Sequence, residues 1–95
     1  MLSVIVTHKS NIPYNAAEVN TPTNDINEAL NYAFRWTQNI SGSWSRKIGE
    51  DANDNVKVLH YNNDGSGLRS SMVGDEFLVD GKTFKVAPFG FEEVV

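Results

Sequence analysis

The segment Glu76 to Val86, EFLVDGKTFKV, constrains the fold more tightly than any other stretch of the chain. Asp80-Gly81 is the dipeptide that a two-residue type I′ turn requires, because both central residues must take positive φ. A turn there pairs Val79 with Lys82, Leu78 with Thr83, Phe77 with Phe84 and Glu76 with Lys85. Phe77, Val79, Phe84 and Val86 then gather on one face, and the opposite charges of Glu76 and Lys85 meet on the other. Turn chemistry and hydrophobic alternation agree on a single register, so the C-terminal part of the chain must contain antiparallel sheet over 76–86.

An amphipathic helix is predicted over about 25–39. Asp25 and Glu28 have capping-box spacing, with Thr23 and Asn24 as rival caps, and Ile26, Ala29, Leu30, Ala33, Phe34 and Thr37 recur on one helical face. Leu2 to Thr7, rich in β-branched residues, reads as a buried strand, and Asn55 to Tyr61 as a second, covered on both sides or at an edge. Between Thr7 and the helix, Pro13 and Pro22 punctuate what reads as a long ordered coil packed by Ile12, Tyr14 and Val19. Pro88 stops the hairpin, and Phe91 to Val95 offers one last short strand. These elements make a single α+β domain over 1–95, one helix packed on a small, mostly antiparallel sheet of three to five strands.

The composition narrows function by exclusion. The absence of cysteine removes disulfides, thiolate nucleophiles and Cys-based metal sites. No apolar run exceeds three residues, and the N-terminus lacks the pattern of a signal peptide, so a cytoplasmic protein is expected. The net charge of −4 argues against a binder of phosphate backbones. That charge is uneven: residues 1–74 hold seven acids and six bases, whereas residues 75–95 hold five acids and two bases.

Catalytic and metal motifs are not expected. His8 and His60 could be neighbours, but no closely spaced ligand pair accompanies them. Asp51 to Asn55 opens like a calcium loop, yet its sixth and twelfth positions hold Val56 and Asn62 instead of Gly and Glu. Asn62 to Gly67 is rich in glycine but leads into no helix bearing a lysine. No cofactor is implied. The candidate binding residues are Trp44, flanked by Ser43 and Ser45 directly after the helix, together with Arg69 and Tyr61. Trp44 reads either as a lid on the core or as a recognition residue. Arg69 reads either as a fork for a carboxylate or phosphate or as a partner of Asp75.

Three fragments carry a resemblance. They are Thr37-Gln38-Asn39-Ile40 with Gly42-Ser43-Trp44-Ser45, then Leu68-Arg69-Ser70-Ser71-Met72-Val73-Gly74-Asp75, and lastly Asp80-Gly81-Lys82 with Ala87-Pro88-Phe89-Gly90-Phe91-Glu92. Together they resemble small proteins of bacteriophages and other mobile elements, in which an Arg-Ser-x-Ser-x-Gly-Asp-like stretch precedes a hairpin and a Gly-aromatic-acidic ending. The ending is similar to that of YodL-like domains. Met72 departs from the pattern, standing where a second serine is expected, and the likeness covers residues 34–95. It implies a viral or mobile-element origin and no particular chemistry.

The expected function is therefore that of a small, non-enzymatic accessory protein that binds another protein, with a host protein as one candidate. The alternatives are a nucleic-acid-binding module that uses Trp44, Tyr61, Arg46 and Lys47, or a small-molecule or nucleotide binder at Arg69.

Overall fold

The structure, a computed structural model, describes residues 1–95. It is an α+β fold in which one helix packs on a six-stranded antiparallel sheet, one strand more than the sequence reading allows. The strands are β1 (Ser3–His8), β2 (Tyr14–Asn20), β3 (Val56–Val58), β4 (Glu76–Val79), β5 (Lys82–Val86) and β6 (Phe91–Glu93), and the helix α1 spans Ile26–Arg35. Their order across the sheet is β3-β2-β1-β4-β5-β6. The β-branched β1 sits near the middle and pairs on both sides, with Val4 opposite Val19 and Val79, and Val6 opposite Ala17 and Phe77. These side chains alternate with Ile5 and Thr7, so the apolar set faces α1 and the long 36–75 segment.

The hairpin adopts the register that its turn demands, from Glu76 opposite Lys85 to Val79 opposite Lys82. Asp80 and Gly81 both have positive φ, 52° and 74°, as a type I′ turn requires. The stretch read as coil is corrected: Tyr14–Asn20 is the strand β2. Pro13 and Pro22 flank it without interrupting it, and pairing with β1 on one side and β3 on the other outweighs the weak strand preference of Asn, Ala and Glu. The ladder slips between Val6 and Thr7, where Ala16 is the extra residue, and the slip buries Ala16 and Ala17 together. Ile12, expected to pack this region, is exposed.

α1 begins at the expected cap, where the Asp25 side chain accepts the Glu28 amide at 2.9 Å. It ends four residues before the expected boundary at Asn39, and the reason lies in another segment. The Asn39 amide, which a helix reaching that residue would turn back onto the Arg35 carbonyl, donates to Ser70 Oγ at 2.8 Å, and beyond it the amides of Ile40, Ser41 and Gly42 all donate to Asp51 Oδ2 at 2.7–2.8 Å. The Thr37 carbonyl accepts from the Ser71 amide instead. The second strand is likewise shorter than the reading Asn55 to Tyr61, covering Val56–Val58, with one further ladder bond from the Leu59 amide to the Ala16 carbonyl. No helix is long and apolar enough to cross a membrane.

Candidate functional site

The long segment between α1 and β4 carries most of the residues singled out from the sequence, and two buried aspartates hold it in place. Asp51 accepts the three consecutive amides and also Arg35 Nη1 at 3.2 Å. Burial disfavours its charge, but the donors outweigh that and hold its carboxyl below the ordinary range. Asp75 takes both guanidinium nitrogens of Arg69, at 2.7 and 2.9 Å, and the amides of Lys9 and Met72. Burial again opposes ionisation, and Arg69 with the two amides more than offsets it, so Asp75 also titrates below the usual carboxylate range.

Trp44 lies inside this unit. It is 1% exposed, its indole N–H donates to the Arg69 carbonyl at 2.9 Å, and its amide donates to Asn39. Ser45 is buried as well and accepts the Leu68 amide. Trp44 is thus the lid on the core, the first of its two readings, and Ser45 beside it is likewise no contact surface, because a Trp whose N–H finds an internal acceptor contributes more as core than it can as a half-exposed patch. Arg69 has its fork filled by Asp75 and lends one further N–H to the Ser70 carbonyl. Ser43 forms a small bridge with Ile48 and accepts the Arg46 amide through its hydroxyl. Of the five candidates the fold thus brings Trp44, Ser45 and Arg69 together facing inward, and leaves Tyr61 alone as an exposed side chain.

A second polar chain runs beneath them. His8 is fully buried at the end of β1, with Nδ1 2.9 Å from the Tyr14 hydroxyl and Nε2 3.2 Å from Ser71 Oγ. Ser71 continues to Thr37 Oγ1 at 2.7 Å, which donates to the Ala33 carbonyl. Burial, with the nearby Arg69 charge, lowers the His8 pKa to about 4, so the ring is neutral at pH 7. A serine within reach of a neutral histidine has the elements of a nucleophile and its base. Here, however, Ser71 is buried and already bonded to Thr37, and neither cavity of the molecule is lined by it. The chain works as a bolt between β1, β2, α1 and the segment before β4. The two histidines do come near one another, separated by Tyr14, whose ring stacks on His60 at 4.2 Å.

The exposed surface tells a different story at the same end of the sheet. Antiparallel order places the end of β3, the β1–β2 turn, the entry to β4 and the β5–β6 turn side by side there. Lys9 N bonded to Asp75, and the Gly74 amide bonded to the Val86 carbonyl at 2.9 Å, tie the last three together. These connections display Tyr61, Ile12, Met72, Val73 and Phe89, all exposed, with Phe89 at 96%. Gly90, at φ 75°, turns the chain so that Phe89 projects from the tip. Beside it, Asn31 and Phe34 of α1 and Val86, Pro88 and Phe91 wall a cavity of about 230 Å³. Of this rim the sequence singles out Tyr61 alone as a binding residue, because Ala87-Pro88-Phe89-Gly90 registers there as a strand break and as part of the resemblance. The usable signal was an aromatic between Pro and Gly, a place where no core can receive it.

Comparison with known protein families, with characterised proteins and with solved structures finds no match.

Proposed function

We propose that this chain is a non-enzymatic accessory protein that works in the cytoplasm by binding another protein through the loop end of its sheet. The resemblance noted above implies an origin in a bacteriophage or mobile element, and a host protein is then a natural partner. The observation that carries the reading is the rim of five exposed apolar side chains on neighbouring connections, with Phe89 outermost. Exposed apolar side chains collected at one end of a sheet suit a contact site, whereas single scattered ones carry no such meaning. The inward-facing Ser71–His8 pair and the filled Arg69 fork support the same reading, since the groups best suited to chemistry or anion capture are spent on the fold. With Trp44 buried, the nucleic-acid alternative lacks its principal stacking residue.

The test is capture from host lysate with the wild-type chain and with the double variant Val73→Ser/Phe89→Ser. Both positions are exposed, so the thermal melt should move little. The expected result is one or more proteins retained by wild type and lost by the variant. An identical set retained by both overturns the assignment to the rim.

A further inference from the structure

The sheet ends in two edge strands of different character. At the β3 edge the Val56 amide is already bonded to the Asn53 carbonyl, and Lys57 marks the strand as guarded. At the β6 edge the ladder to β5 runs through the Gly90 carbonyl and the Val94 amide, bonded to Ala87 and Thr83 at 2.9 and 2.8 Å. Alternation then turns the N–H and C=O groups of Phe91 and Glu93 outward, away from β5. No turn or loop bond reaches them. The side chains flanking this bare edge are also distinctive. Phe91 packs toward Phe34 and Phe77 on the helix face and walls the cavity. Glu93 lies on that same face two residues on, and none of the four ion pairs includes it, whereas Glu92 on the other face has Lys85 at 3.8 Å.

We infer that the β6 edge accepts an extended segment of a partner protein as a seventh strand, with an apolar residue beside Phe91 and a lysine or arginine two positions away beside Glu93. The main chain of such a segment would satisfy the outward groups of Phe91 and Glu93, which is how strand addition gains affinity. Its apolar side chain would enter the cavity next to Phe34, and its cation would meet the one free carboxylate of the edge. The charge balance selects against the simplest competitor: a second copy paired edge to edge brings the Glu92-Glu93 stretch against itself, and like charges directly opposite are destabilising. This inference rests on the partner-binding reading above and specifies the chemistry of the partner.

A labelled nine-residue peptide with leucine and lysine two positions apart in a threonine-serine background is the probe, followed by fluorescence anisotropy and amide exchange. The expected result is saturable binding below about 1 mM, slowed exchange at Phe91 and Glu93, and binding at least about tenfold weaker when glutamate replaces the peptide lysine. Glu93→Pro removes an N–H that the fold does not use and should abolish binding, while Glu93→Lys should reverse the preference between the two peptides. Should the proline variant melt early, Glu93→Lys and a peptide N-methylated on the edge-facing amides decide the matter. No binding up to about 1 mM, equal binding of both peptides, or protection elsewhere overturns the inference. So does self-association of the free chain with Phe91 and Glu93 protected. Lysate capture lost in Val73→Ser/Phe89→Ser alongside an inert peptide leaves the rim reading standing and removes only the edge. Peptide binding with unchanged capture does the reverse.

Discussion

The two halves of the sheet are finished in opposite ways. On the β2–β3 side, the long segment after α1 folds over the apolar face and is fastened by Asp51, Asp75 and the His8–Ser71–Thr37 chain, with Trp44 locked beneath it. On the β5–β6 side there is no such cover: Phe84 and Phe91 are half-buried, Phe89 is out in solvent, and the last strand is bare along its edge. Polar hydrogen-bonding capacity is thus concentrated where the fold must be closed, while the most exposed aromatic, Phe89, and the bare edge lie where it is open, with Tyr61 and Ile12 reaching the same rim from the sealed half. The sealed half should carry stability, and the rim with the open edge recognition.

The sharpest way to break this contrast is Trp44→Ala. Removing a fully buried Trp should cost about 3–5 kcal/mol, read from denaturant melts. A loss under about 1 kcal/mol would mean that the sealed half is not sealed.

A pH titration of stability is next in size. His8 is held at about 4 in the fold against 6.5 when unfolded, so between those values the unfolded chain binds the extra proton. Stability from this group is complete above pH 6.5 and declines as pH falls to about 4, by roughly 3 kcal/mol. Asp75 and Asp51, whose carboxyls are lowered, add losses in the same direction below the ordinary carboxylate range. His8→Gln should flatten the slope between pH 6.5 and 4 and leave the steeper acid limb in place. An unchanged slope would remove His8 as its source.

Arg69→Ala should follow, at about 2 kcal/mol, since it leaves Asp75 buried with only two amides for its charge. The guanidinium is a third exposed, which keeps the figure below that of a fully buried pair. On the open half, Phe84→Ala should cost only about 1–2 kcal/mol, because the half-buried ring is already partly in solvent. Gly81→Val and Asp80→Asn refine the comparison within one turn. The first forces a β-branched residue to φ 74° and should lose about 2 kcal/mol. The second keeps a side chain tolerant of positive φ and should stay within about 0.5 kcal/mol. Equal effects would refute the type I′ geometry.

What was legible in the sequence was local. The 76–86 hairpin could be placed to the residue because its turn dipeptide and its alternation lie within one short window. The start of α1 could be placed because Asp25 and Glu28 are three apart. The end of α1 could not, since Ser70 and Ser71, from a distant segment, take the Asn39 amide and the Thr37 carbonyl. β2 escaped notice because Asn15, Ala16, Ala17 and Glu18 have little strand preference and acquire it only from two neighbours. The candidate residues stayed ambiguous for a related reason. Trp44 and Arg69 are the residue types that dominate interfaces; their alternative readings, a core lid and a partner of Asp75, were open in the sequence, and only the folded chain decides for them. Phe89, between Pro88 and Gly90, had no core within reach in the sequence either.

The placement of β1 also governs how the molecule must assemble. One of its neighbours, β2, follows at once, but the other begins at Glu76, so Val4 meets Val79 only after nearly the whole chain has been gathered. Closing a loop of that length loses chain entropy before any long-range contact compensates. The β1–β2 hairpin must therefore wait with an open flank, and refolding should be paced by the docking of β4 rather than by the quick formation of α1. A permuted chain that joins the present ends and begins at Gly65, in the exposed turn between β3 and β4, would make that pairing local, and β1 should then dock on β4 sooner without gaining a single native contact.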